Sequence, residues 1–189
     1  MFPDPALVLL DLENQAAGGG SYAEQLVTSV RTLVPAAVKL VAAVAEQNTE
    51  RFRATCEDMG VQLVVAGNGP SDADRVMLAL AHTARIAAPH LRVVVASGDH
   101  AFCALAPDLV VTRNHAGISP RLEQAASRVV RLPMDRALTP SDLTYPDASR
   151  LDVPHPDVSH LAPLTSTATT SPPTASRSAM STPSPQEPR

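Results

Sequence analysis

The feature that most constrains the fold is a series of short runs that are apolar at every position, such as VVVA at residues 93–96. Successive side chains of a strand point to opposite faces of a sheet, so such a run predicts a strand that is covered on both faces. Longer stretches with apolar residues at helical spacing separate these runs. The pattern therefore predicts an α/β domain in which helices cover a parallel sheet.

The boundaries of the elements follow from these runs and from the residues that end helices. The predicted strands are 6–10, 38–44, 61–66, 91–96, 109–112 and 128–132. The predicted helical segments are 22–34, 49–59, 72–88, 101–105 and 120–127. Pro35 and Gly60 are typical helix-ending residues, and Ser119 followed by Pro120 is typical of a helix start. The run 38–44 could equally continue a helix, because short alanine-rich apolar runs do not distinguish the two structures.

Proline divides the chain into two parts. Ten of the 18 prolines follow residue 139, and the last 25 residues consist mainly of Ser, Thr, Pro and Ala. Such a segment has too little apolar surface to bury to offset the entropy of ordering it. The sequence therefore predicts one domain over residues 1–138 and a mostly disordered tail over 139–189. A few tail residues are expected to lie on the surface of the domain: Leu143, Tyr145, Leu151 and Val153.

Composition excludes several classes of protein. With no Trp, two Tyr and three Phe, the chain offers no aromatic platform on which single-stranded nucleic acid could stack. A net charge of −4 also argues against bulk electrostatic coating of nucleic acid, so such a partner would be met locally. Cys56 and Cys103 are too few for a disulfide framework and are interpreted as buried thiols. The first apolar run stops at Asp11 and follows no basic segment, which predicts a cytoplasmic protein that does not enter a membrane.

Acidic residues follow the predicted strands. Asp11 ends the first strand, Asp99 follows the fourth strand within SGD, and Asp72 and Asp74 begin the helix after the third strand. The carboxyl ends of parallel strands meet at one edge of the sheet, where ligands collect. An acidic pocket of oxygen donors suits a hard cation such as Mg²⁺ or Mn²⁺. The chemistry it implies is metal-assisted attack of water on a phosphodiester.

Several of these residues also have a simpler interpretation. Asp72 is most simply the helix N-cap, and Glu13 a surface or packing carboxylate.

Arginine can bind phosphate oxygens, and Arg75 and five arginines between residues 113 and 136 are candidates for this role. The alternative is that they are ordinary solvated residues of helices and strand ends. The five arginines between residues 113 and 136 are Arg113, Arg121, Arg128, Arg131 and Arg136.

Three segments in order, LLDLENQ, GPSDADRVML and VVVASGDHAFCALA, resemble the signature segments of the NYN domain within the PIN-like ribonuclease superfamily. The later stretch VVTRNHAGISPRLEQAASRVVRLP resembles the strand, helix and strand with which bacterial members end the domain. The resemblance covers roughly residues 6–133. It implies a three-layer α/β/α sandwich around a parallel sheet, and divalent-metal-dependent cleavage of RNA.

The resemblance also implies a role for each matching residue. Asp11 would be the metal ligand of the first strand, with Asn14 orienting it or holding a bound water. Asp74 would be the acid carried by the helix, and Asp99 the ligand after the fourth strand. Ser97 would bond the backbone of the turn or a phosphate. The implied catalytic and metal-binding set is Asp11, Asp74 and Asp99, and the implied supporting or substrate-binding set is Asn14, Ser97, Arg75 and Arg113.

The chain departs from the family pattern at Ala101, where members commonly carry a second aspartate two positions beyond the one that Asp99 matches. The loss of this ligand would weaken a second metal more than the first, although His100 could supply a donor. Two hypotheses follow: a metal-dependent endoribonuclease, and a catalytically impaired NYN-fold module that binds RNA or protein. A phosphohydrolase of another Rossmann-like family is a weaker third, because the first strand ends in DLEN and not in DxD. The identity of the RNA, cleavage of DNA, homodimer formation and a protein partner for the tail stay open.

Overall fold

A computed structural model describes residues 5–113, 117–133 and 135–143. In these residues, six parallel strands form one sheet in the order β3-β2-β1-β4-β5-β6. The prediction of a parallel sheet is thus confirmed. The strands are β1 (Ala6–Leu10), β2 (Ala37–Ala45), β3 (Gln62–Ala66), β4 (Arg92–Ala96), β5 (Leu109–Arg113) and β6 (Val129–Leu132).

Five of the helices match the predicted segments to within a few residues at their ends. Three short ones were not predicted: the helix directly after β1 and the 3₁₀ helices Glu46–Asn48 and Pro140–Leu143. The α-helices are α1 (Leu12–Gln15), α2 (Gly20–Leu33), α3 (Thr49–Asp58), α4 (Asp72–Ala87) and α5 (Pro120–Ala125). Shorter 3₁₀ helices cover Glu46–Asn48, His100–Leu105 and Pro140–Leu143. Gly60 has a φ of +58°, the left-handed conformation that glycine adopts after a helix end. Ser119 occupies the N-cap of α5 and Pro120 follows it, as predicted.

The run 38–44 is a strand. Its local sequence suits a helix or a strand, but β2 pairs with β1 on one side and with β3 on the other. The section from Leu40 to Val44 is buried between these neighbours. The pairing partners therefore decide between the two structures, which local sequence leaves open.

Helices cover both faces of the sheet, and β1 shows why its sequence is apolar throughout. All five residues of β1 are buried. Ala6, Val8 and Leu10 pack in the core that α2 and α3 cover, whereas Leu7 and Leu9 pack in the core under α4, the His100–Leu105 helix and α5. The structure is thus a three-layer α/β/α sandwich, as expected.

The order of the strands reverses at β1. After β1 the chain continues through α2 to β2 on one side, whereas β4, on the other side of β1, is reached through α4 on the opposite face. In open α/β sheets such a reversal opens a crevice at the carboxyl ends of the two strands. The backbone N–H of Asp11 donates to the carbonyl oxygen of Ala96 at 3.1 Å, which holds the two strand ends side by side.

The folded part continues beyond β6, past the predicted boundary at residue 138. Leu138 and Leu143 pack against the core under α2, and the backbone N–H of Leu138 donates to Ser29 Oγ at 2.9 Å. Arg136 pairs with Asp142 at 2.7 Å. The start of the predicted tail is therefore structured, and the prediction that Leu143 lies on the domain is confirmed. The predictions for Tyr145, Leu151, Val153 and the rest of the tail lie outside the described residues.

Candidate functional site

A cleft of about 270 Å³ lies at the crevice where the strand order reverses. The four acids predicted from the strand ends and the start of α4 line this cleft, together with the predicted Asn14. The segments that follow β1, β3 and β4 therefore meet at the carboxyl edge of the sheet, where the sequence predicted an acidic pocket. The lining residues are Asp11, Glu13, Asn14, Ala45, Gly67, Gly69, Ser71, Asp72, Ala73, Asp74 and Asp99.

Asp11 is the most buried acid of the cleft, with 8% of its surface exposed. It caps α1: its Oδ1 accepts the backbone N–H of Asn14 at 3.1 Å, and its Oδ2 accepts the Ser97 hydroxyl at 2.7 Å. Burial raises the pKa of Asp11 to about 6, against these two hydrogen bonds, and the charges of Asp74 and Asp99 raise it further. Asp11 therefore carries a charge that the folded protein only partly compensates.

Ser97 joins two of the acids. Its buried hydroxyl donates to Asp11, and its Oγ accepts the backbone N–H of Asp99 at 3.0 Å. Of the two roles that the resemblance implied for Ser97, the structure shows the bond to the turn backbone. Ser97 thus sets the distance between the carboxylate after β1 and the turn after β4.

Asp99 is held by the turn that it begins. Its Oδ1 accepts the backbone N–H of Ala101 at 2.8 Å and lies 3.0 Å from His100 Nδ1. Ala101 therefore contributes a backbone donor at the position where the NYN pattern that the sequence resembles has a further carboxylate. His100 is largely exposed beside Asp99 and is not among the residues that line the cleft.

Asp74 comes from the other wall of the cleft, in the first turn of α4. Burial raises its pKa, and the charges of Asp99 and Glu13 raise it further, whereas a hydrogen bond with Ser71 lowers it. These mutual effects show that the acids after β1, β3 and β4 lie within electrostatic reach of one another. Carboxylates so arranged favour a cation between them.

The prediction that Asp72 is the N-cap of α4 is wrong. Ser71 takes that position with a φ of +60°, and Asp72 is the first helical residue. The Asp72 carboxylate turns back to the preceding loop and accepts the backbone N–H of Gly69 at 2.9 Å. Arg75 pairs with Asp72 at 3.2 Å and donates to the carbonyl oxygen of Pro70 at 2.7 Å. Arg75, in α4, thus packs against the loop beside the cleft and fixes it through Pro70 and Asp72, and most of the Arg75 side chain is exposed.

Glu13 is a cleft residue that the sequence analysis interpreted as a surface or packing carboxylate. It accepts hydrogen bonds from the Asn48 side chain and from the backbone N–H of Ala45, and so ties α1 to the end of β2. The signal that could have revealed it is its position two residues after Asp11, in the segment that directly follows a buried strand. Its charge contributes to the raised pKa of Asp74.

Arg113 does not reach the cleft. Its side chain is 1% exposed and packs under α2, where Nη2 donates to the carbonyl oxygen of Tyr22 at 2.8 Å. Alternation along β5 sends residue 113 to the α2 face of the sheet, which is why the predicted Arg113 is absent from the lining of the cleft. Its Nε and Nη1 have no hydrogen-bond partner within the described ranges. Its backbone N–H donates to Gln15 Oε1 at 2.9 Å, so Arg113 supports α1 from behind.

The predicted basic surface is only partly free for phosphate. Arg131 pairs with Glu123 at 2.8 Å, and Arg136 makes its ion pair with Asp142. The Arg131–Glu123 pair is exposed, whereas Arg136 holds Asp142 through two hydrogen bonds; both pairs favour the interpretation of these arginines as ordinary surface residues.

The donor set of the cleft fits a hard cation in its chemistry. Five of the lining residues are carboxylates, and none of the described lining residues carries a positive charge. Among the described residues, no three His, Cys, Asp or Glu side chains lie close enough together to hold a metal ion as they are now oriented. The oxygen donors of a magnesium or manganese site are thus collected at one cleft, and a coordination shell would require their side chains to turn inward.

Comparison with models of known protein families gives no match to this chain, and comparison with curated proteins gives none either. The α/β class of the fold therefore stands on the structure itself. Among the residues that the structure describes, no helix has both the length and the apolar character needed to cross a bilayer.

Proposed function

We propose that this chain is a metal-dependent endoribonuclease of the NYN type, which hydrolyses RNA phosphodiester bonds. The observation that supports the proposal most is the meeting of Asp11, Asp74 and Asp99 in one cleft at the point where the strand order reverses. These residues are distant in sequence and come from the segments that follow β1, β3 and β4. The segments that carry them are those that resemble the NYN signatures.

Asp11, Asp74 and Asp99 would hold Mg²⁺ or Mn²⁺. When bound, such an ion lowers the pKa of its water and neutralises charge that develops on the phosphodiester. The chain's own part is to hold the carboxylates in place. Ser97 and the N–H of Asn14 orient Asp11, and the N–H of Ala101 orients Asp99.

The raised pKa of Asp11 agrees with a cation-binding role. A carboxylate desolvated beside two other carboxylates gains more from a bound cation than a solvated one does. Because a metal binds the ionised form, its binding would compete with protonation of Asp11. Mn²⁺ affinity should therefore rise as pH increases through about 6.

Cleavage of single-stranded RNA in the presence of Mn²⁺ tests the proposal. Activity should disappear on chelation, and in Asp11→Asn and Asp99→Asn. Asp58→Asn removes a carboxylate at the exposed end of α3, outside the cleft, and should keep full activity. A matching DNA oligonucleotide shows whether DNA is also cut. Equal cleavage by wild type and both cleft variants would refute the assignment of the site.

A second candidate function is an impaired NYN-fold module that binds RNA or a protein without turnover. Ala101 favours it, because this position lacks the further carboxylate and offers Asp99 only a backbone N–H. Ala101→Asp separates the two functions. Activity that appears only in this variant supports the binding module, whereas strong wild-type activity refutes it.

A cytoplasmic location belongs to the same proposal. Both Cys56 and Cys103 are free thiols, as expected in a reducing compartment; Cys56 is buried as predicted, whereas Cys103 is only partly buried. RNA is the proposed partner. A homodimer and a protein partner for the tail stay hypotheses, which sedimentation of the full chain would begin to test.

A further inference from the structure

A chain of hydrogen bonds runs from β5 to the cleft and decides which way one side-chain amide faces. The backbone N–H of Arg113 donates to Gln15 at 2.9 Å. A backbone N–H can only donate, so the Gln15 atom that it meets must be the oxygen, Oε1. Gln15 is 0% exposed, so bulk solvent does not reach its amide group. The amide nitrogen of Gln15, Nε2, therefore points away from the backbone of Arg113.

This nitrogen meets Asn14. Gln15 Nε2 donates to Asn14 Oδ1 at 2.7 Å, so the oxygen of the Asn14 amide is turned inward to Gln15. The Asn14 side chain is exposed and lines the cleft. Its Nδ2 group, with two N–H bonds, has no partner in the part of the chain that the structure describes. Asn14 thus presents a hydrogen-bond donor to a cleft in which all the charged lining side chains are carboxylates.

We propose that Asn14 positions the substrate by donating Nδ2–H to a phosphate oxygen of the RNA backbone, and that Gln15 holds the amide in this orientation. The inference rests on the proposed function for its substrate. An amide nitrogen cannot coordinate Mg²⁺ or Mn²⁺, and the amide oxygen is engaged by Gln15, so a role as metal ligand is disfavoured. Five carboxylates repel a phosphate, and a fixed N–H donor is the group that complements it.

The orientation can be measured without metal or RNA. In the ¹⁵N,¹³C-labelled full chain, scalar couplings across hydrogen bonds should connect Gln15 Nε2 with Asn14 Cγ, and the Arg113 backbone nitrogen with Gln15 Cδ. A coupling between Asn14 Nδ2 and Gln15 Cδ, or the absence of both expected couplings, would overturn the assigned orientation.

The role in substrate binding is tested with variants of Asn14. The probe is a fluorescent single-stranded oligoribonucleotide, with Ca²⁺ in place of Mn²⁺ to limit cleavage, and Mn²⁺ alone is titrated by calorimetry. Asn14→Leu removes the donor without adding charge, and should raise the Kd for RNA about tenfold, as expected for one hydrogen bond to a charged group. The Kd for Mn²⁺ should stay within about twofold, because no donation to the ion is lost.

Asn14→Asp gives effects of opposite sign on the two ligands. It replaces the donor with a carboxylate oxygen, and so should weaken RNA binding by more than tenfold while tightening Mn²⁺ binding. Asn68→Asp is the matched control. It adds the same charge at the same edge of the sheet, between two cleft-lining glycines but outside the lining itself. RNA binding by this control should change by less than about threefold.

Gln15→Met tests the positioning role, since it removes the amide that fixes Asn14 and leaves every cleft-lining residue unchanged. The Kd for RNA should rise at least about threefold with no change for Mn²⁺, measured below the unfolding temperature of the variant. Weaker Mn²⁺ binding in Asn14→Leu, or unchanged RNA binding in that variant, overturns the proposal. If wild type binds neither Mn²⁺ nor RNA, the proposed function fails and the substrate role of Asn14 falls with it. The coupling experiment still decides the orientation.

Discussion

Replacement of Asp11 by asparagine should stabilise the protein at alkaline pH while abolishing its proposed activity. Burial raises the pKa of Asp11 from an ordinary 3.8 to about 6. The folded state therefore binds a proton that the unfolded state has released, and stability falls as pH rises from about 4 to above 6. At about 1.4 kcal/mol for each pKa unit, the ionised carboxylate costs the folded protein about 3 kcal/mol at pH 8.

Asparagine keeps the shape of the side chain but not all its hydrogen bonds. Its oxygen can still accept the N–H of Asn14. Its amide group must face Ser97, whose Oγ already accepts the N–H of Asp99, so the charged acceptor for the Ser97 hydroxyl is lost. That loss costs about 1–2 kcal/mol. The net gain for Asp11→Asn is then about 1–2 kcal/mol at pH 8, and it should vanish or reverse at pH 4.

Urea unfolding followed by circular dichroism at pH 4, 6 and 8, with chelator present, measures this difference. Glu24→Gln removes an exposed carboxylate of α2 and should show no such pH-dependent gain. Mn²⁺ at about 100 times its Kd should stabilise wild type by about 2.7 kcal/mol and so reverse the order of the two proteins. If Asp11→Asn is no more stable than wild type at pH 8 without metal, the reasoning about the burial of Asp11 is refuted.

Three further predictions concern other parts of the site. Gly98→Ala should lower the free energy of unfolding by about 1–3 kcal/mol, because a Cβ there would overlap the carbonyl oxygen of Gly117; denaturation at an unchanged midpoint would contradict this. Ala101→Asp should tighten Mn²⁺ binding about tenfold in calorimetry, since it adds a carboxylate two residues after Asp99, one of the proposed metal ligands; weaker binding would show that residue 101 faces away from the proposed site. Arg113→Met should leave stability unchanged or raise it by up to about 2 kcal/mol, because burial lowers the pKa of a guanidinium whose Nε and Nη1 lack partners among the described residues. A loss of more than about 2 kcal/mol on urea unfolding would contradict that account of Arg113.

Much of the fold could be predicted because its signals are local. A run that is apolar at every position, such as residues 93–96, identifies a strand covered on both faces wherever it lies in the chain. The run 38–44 could not be assigned in this way. Its identity depends on the neighbours β1 and β3, which are distant in sequence.

The candidate site was predictable to the extent that strand ends define it. Asp11 and Asp99 follow directly from buried parallel strands, so both were expected at one edge. The position of Glu13 in the cleft was missed because the short helix α1 that carries it was not predicted, and with it the direction of its side chain. Asp72 turned back to the loop at Gly69 and did not cap α4, since Ser71 takes the left-handed conformation before the helix.

The sequence by itself determined that the chain forms a covered parallel sheet with acids at its carboxyl edge, because hydrophobic periodicity and strand direction are local properties. Only the tertiary structure decided the strand order, and with it that β1 and β4 are neighbours at the crevice. It also decided that Arg113 is buried behind the site and that its backbone orients Gln15 and Asn14. The reason is physical: these contacts join residues up to about a hundred positions apart, and a hydrogen bond between them has no signature in the local sequence of either partner.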